Sequence, residues 1–74
     1  MVSLEGITHT DTEILSGTPV FVGTRVPVRA LFDYLEGGDT LEHFLRQFPS
    51  VKRSQVIAVL AAACELVTSD AHAA

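Results

Sequence analysis

Lys52, Arg53, Ser54 and Gln55 stand in one unbroken run, and all four side chains can donate hydrogen bonds to phosphate or to base edges. Arg46 and Gln47, shortly upstream, could join the same surface. The plainer reading makes all six ordinary solvated residues around a helix start. Metal chemistry is not expected. His9, His43 and His72 are scattered, Cys64 lies in an apolar run, and no paired-ligand spacing occurs. Cys64 has no nearby base to activate it and reads as a small buried hydrophobe. Gly17 and Gly23 lack the strand-to-helix setting of a phosphate loop. Neither a catalytic group nor a cofactor is expected.

Arg25 and Arg29 flank Pro27 in the segment Gly17-Thr-Pro-Val-Phe-Val-Gly-Thr-Arg-Val-Pro-Val28. Either arginine could meet phosphate or an acidic partner. The structural alternative has Arg25 pin its own turn against a carboxylate or carbonyl, and Arg29 pair with Asp33 one helical turn on. For Arg25 the structural role is the favoured expectation.

The elements that must carry these groups follow from spacing. Ile7–Thr10 and Thr12–Leu15 are rich in β-branched residues and read as extended. Ser16–Pro19 is a turn, Val20–Val22 a compact strand, and Gly23–Arg25 a second turn. Val28, Leu31, Phe32 and Leu35 form one apolar stripe, which predicts a helix over 28–36 stopped by Gly37-Gly38. Leu41, Phe44, Leu45 and Phe48 repeat the stripe in a second helix, capped by Asp39 or Thr40 and ended by Pro49. The spacing of Asp39 and Glu42 resembles a capping box. A third helix is expected over about 53–67. The expected architecture is mainly α: a trihelical helix-turn-helix core (28–67), a short N-terminal β element (1–27) and a flexible tail (68–74), all within a single domain.

Val56 to Cys64 is apolar without a break, and a helix hydrophobic all round is expected to be buried all round. A 74-residue chain buries only roughly 60–65% of its unfolded surface. A second copy of the chain is therefore the expected cover, through Val56, Val59, Leu60, Ala63 and Val67. Net charge of −4 counts against indiscriminate nucleic-acid binding, which needs clustered Lys and Arg. A hydrophobic content of 47% against 19% charged argues for a folded chain. One cysteine, no secretory segment and no bilayer-length apolar run give the expectation of a cytoplasmic protein without membrane contact.

The run from Ile14 to Val28 resembles the signature of the domain of unknown function 433 family. Its continuation through Leu31, Leu35, Gly37, Asp39, Phe44, Phe48 and Pro49 into the apolar third helix does so too. The likeness covers roughly residues 5–67. The resemblance implies a homeodomain-like trihelical fold and the role of a VapB-type antitoxin encoded beside a PIN-like nuclease toxin. It implies a homodimer that binds operator DNA through the second and third helices and neutralises the toxin through another surface. Gly17, Pro19, Gly23, Thr24, Arg25 and Pro27 look architectural in that pattern. Because a PIN-type site clusters carboxylates around a divalent metal, Arg25 or Arg29 is the expected toxin contact. The rival expectation is a protein-interaction or dimerisation module that never touches DNA. Neutralisation of the basic turn at 52–53 by acidic neighbours would favour that rival.

Overall fold

The computed structural model describes residues 3–73, with side chains described as far as residue 69. Residues 1 and 2 of the expected β segment and residue 74 of the expected tail lie outside the described residues. Two short strands, β1 (Thr8–His9) and β2 (Val20–Phe21), precede three helices, α1 (Val28–Glu36), α2 (Leu41–Gln47) and α3 (Arg53–Ala73). The chain is mainly α with a small antiparallel N-terminal sheet, as its patterning predicts. No helix among the described residues is long and apolar enough to cross a membrane.

β2 is the centre of the N-terminal element. Thr8 stands opposite Phe21 and His9 opposite Val20 on one side. On the other side Val20 bridges to Pro27, and the Phe21 N–H donates to the Val26 carbonyl at 3.1 Å. Val28 N–H reaches the Pro19 carbonyl at 3.0 Å, so the first residue of α1 is tied to the strand. Pro27 then occupies the N-cap with φ −68° and ψ 140°, an angle its ring already fixes. Both β2 side chains are fully buried.

The hairpin from β2 back to Val26 depends on Gly23 and Thr24. Gly23 takes φ +81°, a backbone state that side chains disfavour. Thr24 is buried, and its hydroxyl donates to the Phe21 carbonyl at 2.9 Å while accepting from Val26 N–H at 3.0 Å. Arg25 makes no hydrogen bond or ion pair among the described residues and is exposed. The expectation that Arg25 pins the turn is therefore corrected. A short hydroxyl reaches both backbone groups from inside the loop, where a long guanidinium has no target.

Helix α1 ends in a Schellman motif. Asp39 N–H bonds to Tyr34 O at 2.9 Å, Gly38 N–H bonds to Leu35 O at 3.1 Å, and Gly38 supplies the left-handed residue at φ +92°. Thr40, not Asp39, caps α2 by accepting from His43 N–H at 3.0 Å. Glu42 is no part of a capping box; its carboxylate faces Arg53 instead. The stripes of α1 and α2 meet in a core of Phe21, Leu31, Phe44, Val51, Val56 and Val59. Phe44 is its hub, with ring centroids 5.0 Å from Phe48, 5.5 Å from Tyr34 and 6.3 Å from Phe21.

Two further expectations are corrected. Thr12–Leu15 is not a strand, because the Asp11 carboxylate accepts from Glu13 N–H and folds the chain into a tight turn. That turn leads into a single turn of 3₁₀ helix (Leu15–Gly17) in which Leu15 and Ser16 hold φ 49° and 56°. Next, α3 does not stop at Val67 but continues to Ala73. No Gly or Pro follows Val67, and Thr68 turns its hydroxyl back onto the Cys64 carbonyl at 2.9 Å.

As its unbroken apolar run leads one to expect, α3 is not wrapped on all sides by its own chain. Its 21 residues extend about 32 Å, against a longest molecular dimension of 37 Å. Val56 and Val59 lie in the core, whereas Ile57, Ala61 and Cys64 are exposed, and Leu66 and Val67 are 72% and 68% exposed. The small body covers one side of the first turns and then runs out. Removing the hinge hydroxyl tests the account of the hairpin. Thr24→Val leaves Val26 N–H without its acceptor, and denaturant unfolding should register a loss of about 1–2 kcal/mol.

Candidate nucleic-acid and partner interface

The connection between α2 and α3 runs from Phe48 to Lys52, with Val51 buried beneath it. Val51 N–H bonds to Phe48 O at 3.0 Å, making a tight turn that sets the head of α3 beside the end of α2. Lys52 takes the N-cap position. Its backbone N–H is accepted by the Gln55 side-chain oxygen at 2.9 Å, so Gln55 supplies the cap that lysine cannot.

The six residues expected to form a polyanion surface separate into two groups. Arg46, Gln47, Lys52 and Ser54 are exposed, and their side chains make no hydrogen bond or ion pair among the described residues. Gln55 is withdrawn from that surface. It is 7% exposed, and its amide nitrogen donates to the Val22 carbonyl at 2.9 Å while its oxygen caps the helix. Arg53 stays half-exposed but forms an ion pair with Glu42, which cancels part of the positive charge there.

A groove of about 470 Å³ opens beside this turn, lined by Gly6, Ile7, Val22, Gly23, Lys52 and Ser54 among others. Gly6, Ile7, Val22 and Gly23 lie along one side of it, and residues 50–55 around the head of α3 along the other. Lys52 and the hydroxyls of Ser50 and Ser54 are its phosphate-seeking groups. A second groove, about 510 Å³, lies on the far side of the hairpin between Leu15, Ser16, Pro27, Arg29 and Ala30. Leu15 is 52% exposed there, on left-handed backbone that a non-glycine residue holds only at a cost. Arg29 reaches Asp33 at 3.7 Å, the expected pairing along α1, with 83% of its side chain still exposed.

The five residues expected to meet a second subunit also divide. Val56 and Val59 are 0% and 4% exposed and belong to the chain's own core, which corrects their assignment to an interface. Leu60 and Ala63 are half-buried, and Val67 is open. The run of apolar residues carries no periodicity, so which face turns inward could not be read from it; α1, α2 and the hairpin decide. Ile57 and Cys64, expected to be buried, stand on the open side. Among the described residues, no group of three or more His, Cys, Asp or Glu is placed to hold a metal ion.

A family model described as "Protein of unknown function (DUF433)" matches residues 8–63, which is most of the chain and leaves out Gly6 and Ile7 of the groove and Cys64 and Val67 of α3. No curated protein matches the chain, and no solved structure does.

The committed state of Gln55 has a direct check. Gln55→Glu keeps the acceptor for Lys52 N–H but turns a carboxylate oxygen toward the Val22 carbonyl. Thermal unfolding should fall by about 2–3 kcal/mol, a drop on the order of 10–20 °C for a domain this small. Ser54→Ala, on open surface, should change stability by no more than about 0.5 kcal/mol.

Proposed function

We propose that this chain, which belongs to the DUF433 family, is a non-enzymatic binding protein of the antitoxin kind. It works as a homodimer and neutralises a PIN-like nuclease toxin. The observation that carries the reading is Arg25. The hairpin commits a left-handed Gly23 and a doubly bonded, buried Thr24 to holding an arginine that bonds to nothing described in its own chain. A guanidinium left unpaired on a backbone fixed in that way suits a carboxylate partner, because its two parallel N–H donors match two carboxylate oxygens. A nuclease of the PIN type gathers carboxylates around a divalent metal, and an inserted arginine competes for them. Arg29, already paired with Asp33 on the neighbouring groove, is an auxiliary contact.

Operator binding is the second reading, favoured by the groove at the head of α3. Lys52, Ser50 and Ser54 line it, and Arg46 and Gln47 are exposed at the end of α2. A helix start attracts phosphate. It ranks second because Gln55 is spent on the fold and Arg53 on Glu42. Neutralisation by an acidic neighbour is what an interaction module without DNA contact requires.

Both readings have defined tests. Against a PIN-like nuclease that the wild-type chain inhibits, Arg25→Glu should weaken binding at least tenfold by calorimetry and restore nuclease activity, with the melting temperature unchanged. Equal inhibition by wild type and variant would end the Arg25 assignment. For DNA, Glu42→Gln releases Arg53 and should tighten binding to operator duplex, while Lys52→Ala should lower the salt slope by about one. A wild-type chain with no affinity for duplex at low ionic strength removes the second reading and leaves the first intact.

A further inference from the structure

The geometry points to a specific self-association: two copies of the chain pair their α3 helices antiparallel along Ile57, Leu60, Cys64 and Val67. This rests on the homodimer of the preceding section and fixes its surface and direction. The four residues recur at intervals of three, four and three, the seam spacing of a two-stranded coiled coil. Ile57 is 49% exposed, Val67 is 68% exposed and Cys64 is exposed, while Leu60 is half-buried against the core, so the seam runs along the edge where the body leaves α3 open. Ala61, exposed beside it, lets two backbones approach closely.

The seam is apolar against itself in either direction, so its composition alone does not choose between a parallel and an antiparallel pair. Reversal about the level of Ala62 places Ile57 against Val67 of the other copy and Leu60 against Cys64, with each pairing repeated by symmetry. Every apolar seam residue then meets an apolar seam residue. Charge selects the antiparallel direction. Lys52 stands at the N-terminal end of α3, beside Arg53 whose charge Glu42 already shares, while Glu65 and Asp70 belong to its C-terminal half. A parallel pair sets like ends and aligned helix dipoles side by side. An antiparallel pair sets the basic, dipole-positive end of one helix beside the acidic, dipole-negative end of the other. Four layers over about 15 Å make a small interface, so the dimer is expected in the micromolar range rather than tighter.

Cys64 is a built-in reporter of direction. In a parallel, in-register pair the two Cys64 residues face each other. In the antiparallel pair they are offset by four residues, about 6 Å along the axis, which carries their Cα atoms beyond the roughly 7 Å a disulfide spans. Leu60→Cys places a new thiol in the same layer as Cys64 of the other copy.

Sedimentation equilibrium and oxidation of the purified full chain test the proposal. Wild type is expected to dimerise with a dissociation constant of roughly 1–100 μM. Ile57→Glu, on open surface, should weaken this at least tenfold without lowering the melting temperature. Leu66→Glu, half a turn around α3, should leave it unchanged. Leu60→Cys should give a disulfide-linked dimer on mild oxidation, whereas wild type should not. A wild-type chain that crosslinks rapidly through Cys64 overturns the antiparallel direction. Dissociation by Leu66→Glu but not by Ile57→Glu overturns the seam and leaves the homodimer standing. A chain monomeric at about 0.5 mM overturns both.

Discussion

One buried amide joins the two halves of this molecule. Gln55 receives the first N–H of the α3 cap at 2.9 Å and gives its own N–H to Val22, 33 residues earlier, at 2.9 Å. The first bond sets where α3 begins. The second sets how the β hairpin sits against it. Neither bond is large by itself, at about 1 kcal/mol net for a typical intramolecular hydrogen bond. Their weight comes from burial, since either group left unpaired at 7% exposure would carry its full desolvation cost. The open groups follow from this tie. Lys52 and Ser54 look onto a groove whose opposite wall is Val22 and Gly23, and Arg25 projects from the same hairpin.

How much of this was legible in the sequence depended on whether the signal was local. Helix α1 was read with its observed bounds because its apolar stripe, the fixed angle of Pro27 and the Gly37-Gly38 stop all lie within a few residues of each other. The short strands, the Gly23 turn and the Pro49 stop were legible for the same reason. Gln55 was not, because a polar residue in the first turn of a helix looks solvated until its partner is known. That partner is a backbone carbonyl, which no side-chain pattern marks. Thr24 stands among the residues that look architectural in the family pattern, yet its two bonds are no more visible there than those of Gln55. Charge attracts a reading of structure or function, whereas a hydroxyl that satisfies two peptide groups leaves only the trace of a threonine after a glycine.

The apolar run of α3 exposes a different limit. Periodicity tells inside from outside only when polar residues interrupt it, and Val56–Cys64 has none. Hydrophobicity was enough to predict that α3 outgrows its own core, and Leu66 and Val67 bear this out with about 70% of their surface open. It was not enough to choose a face. The fold makes that choice by placing Phe21, Leu31 and Phe44 against Val56 and Val59, which leaves the seam through Ile57 and Cys64 outside. A stretch without pattern acquires one from its neighbours.

The antiparallel pairing proposed for α3 would also constrain what the head of that helix can do. Two antiparallel helices related about Ala62 place their Ser54 residues about 24 Å apart along the axis, at 1.5 Å per residue. Successive major grooves on one face of B-form DNA recur at about 34 Å. Such a pair cannot set both leading turns into neighbouring grooves with their helix axes along the duplex. In that orientation a dimer of the proposed kind would engage one groove at a time. The Arg25 hairpin would carry no such restriction, since each protomer would bring its own. Such a dimer would pair half-sites poorly along the duplex while leaving both hairpins open to acidic partners.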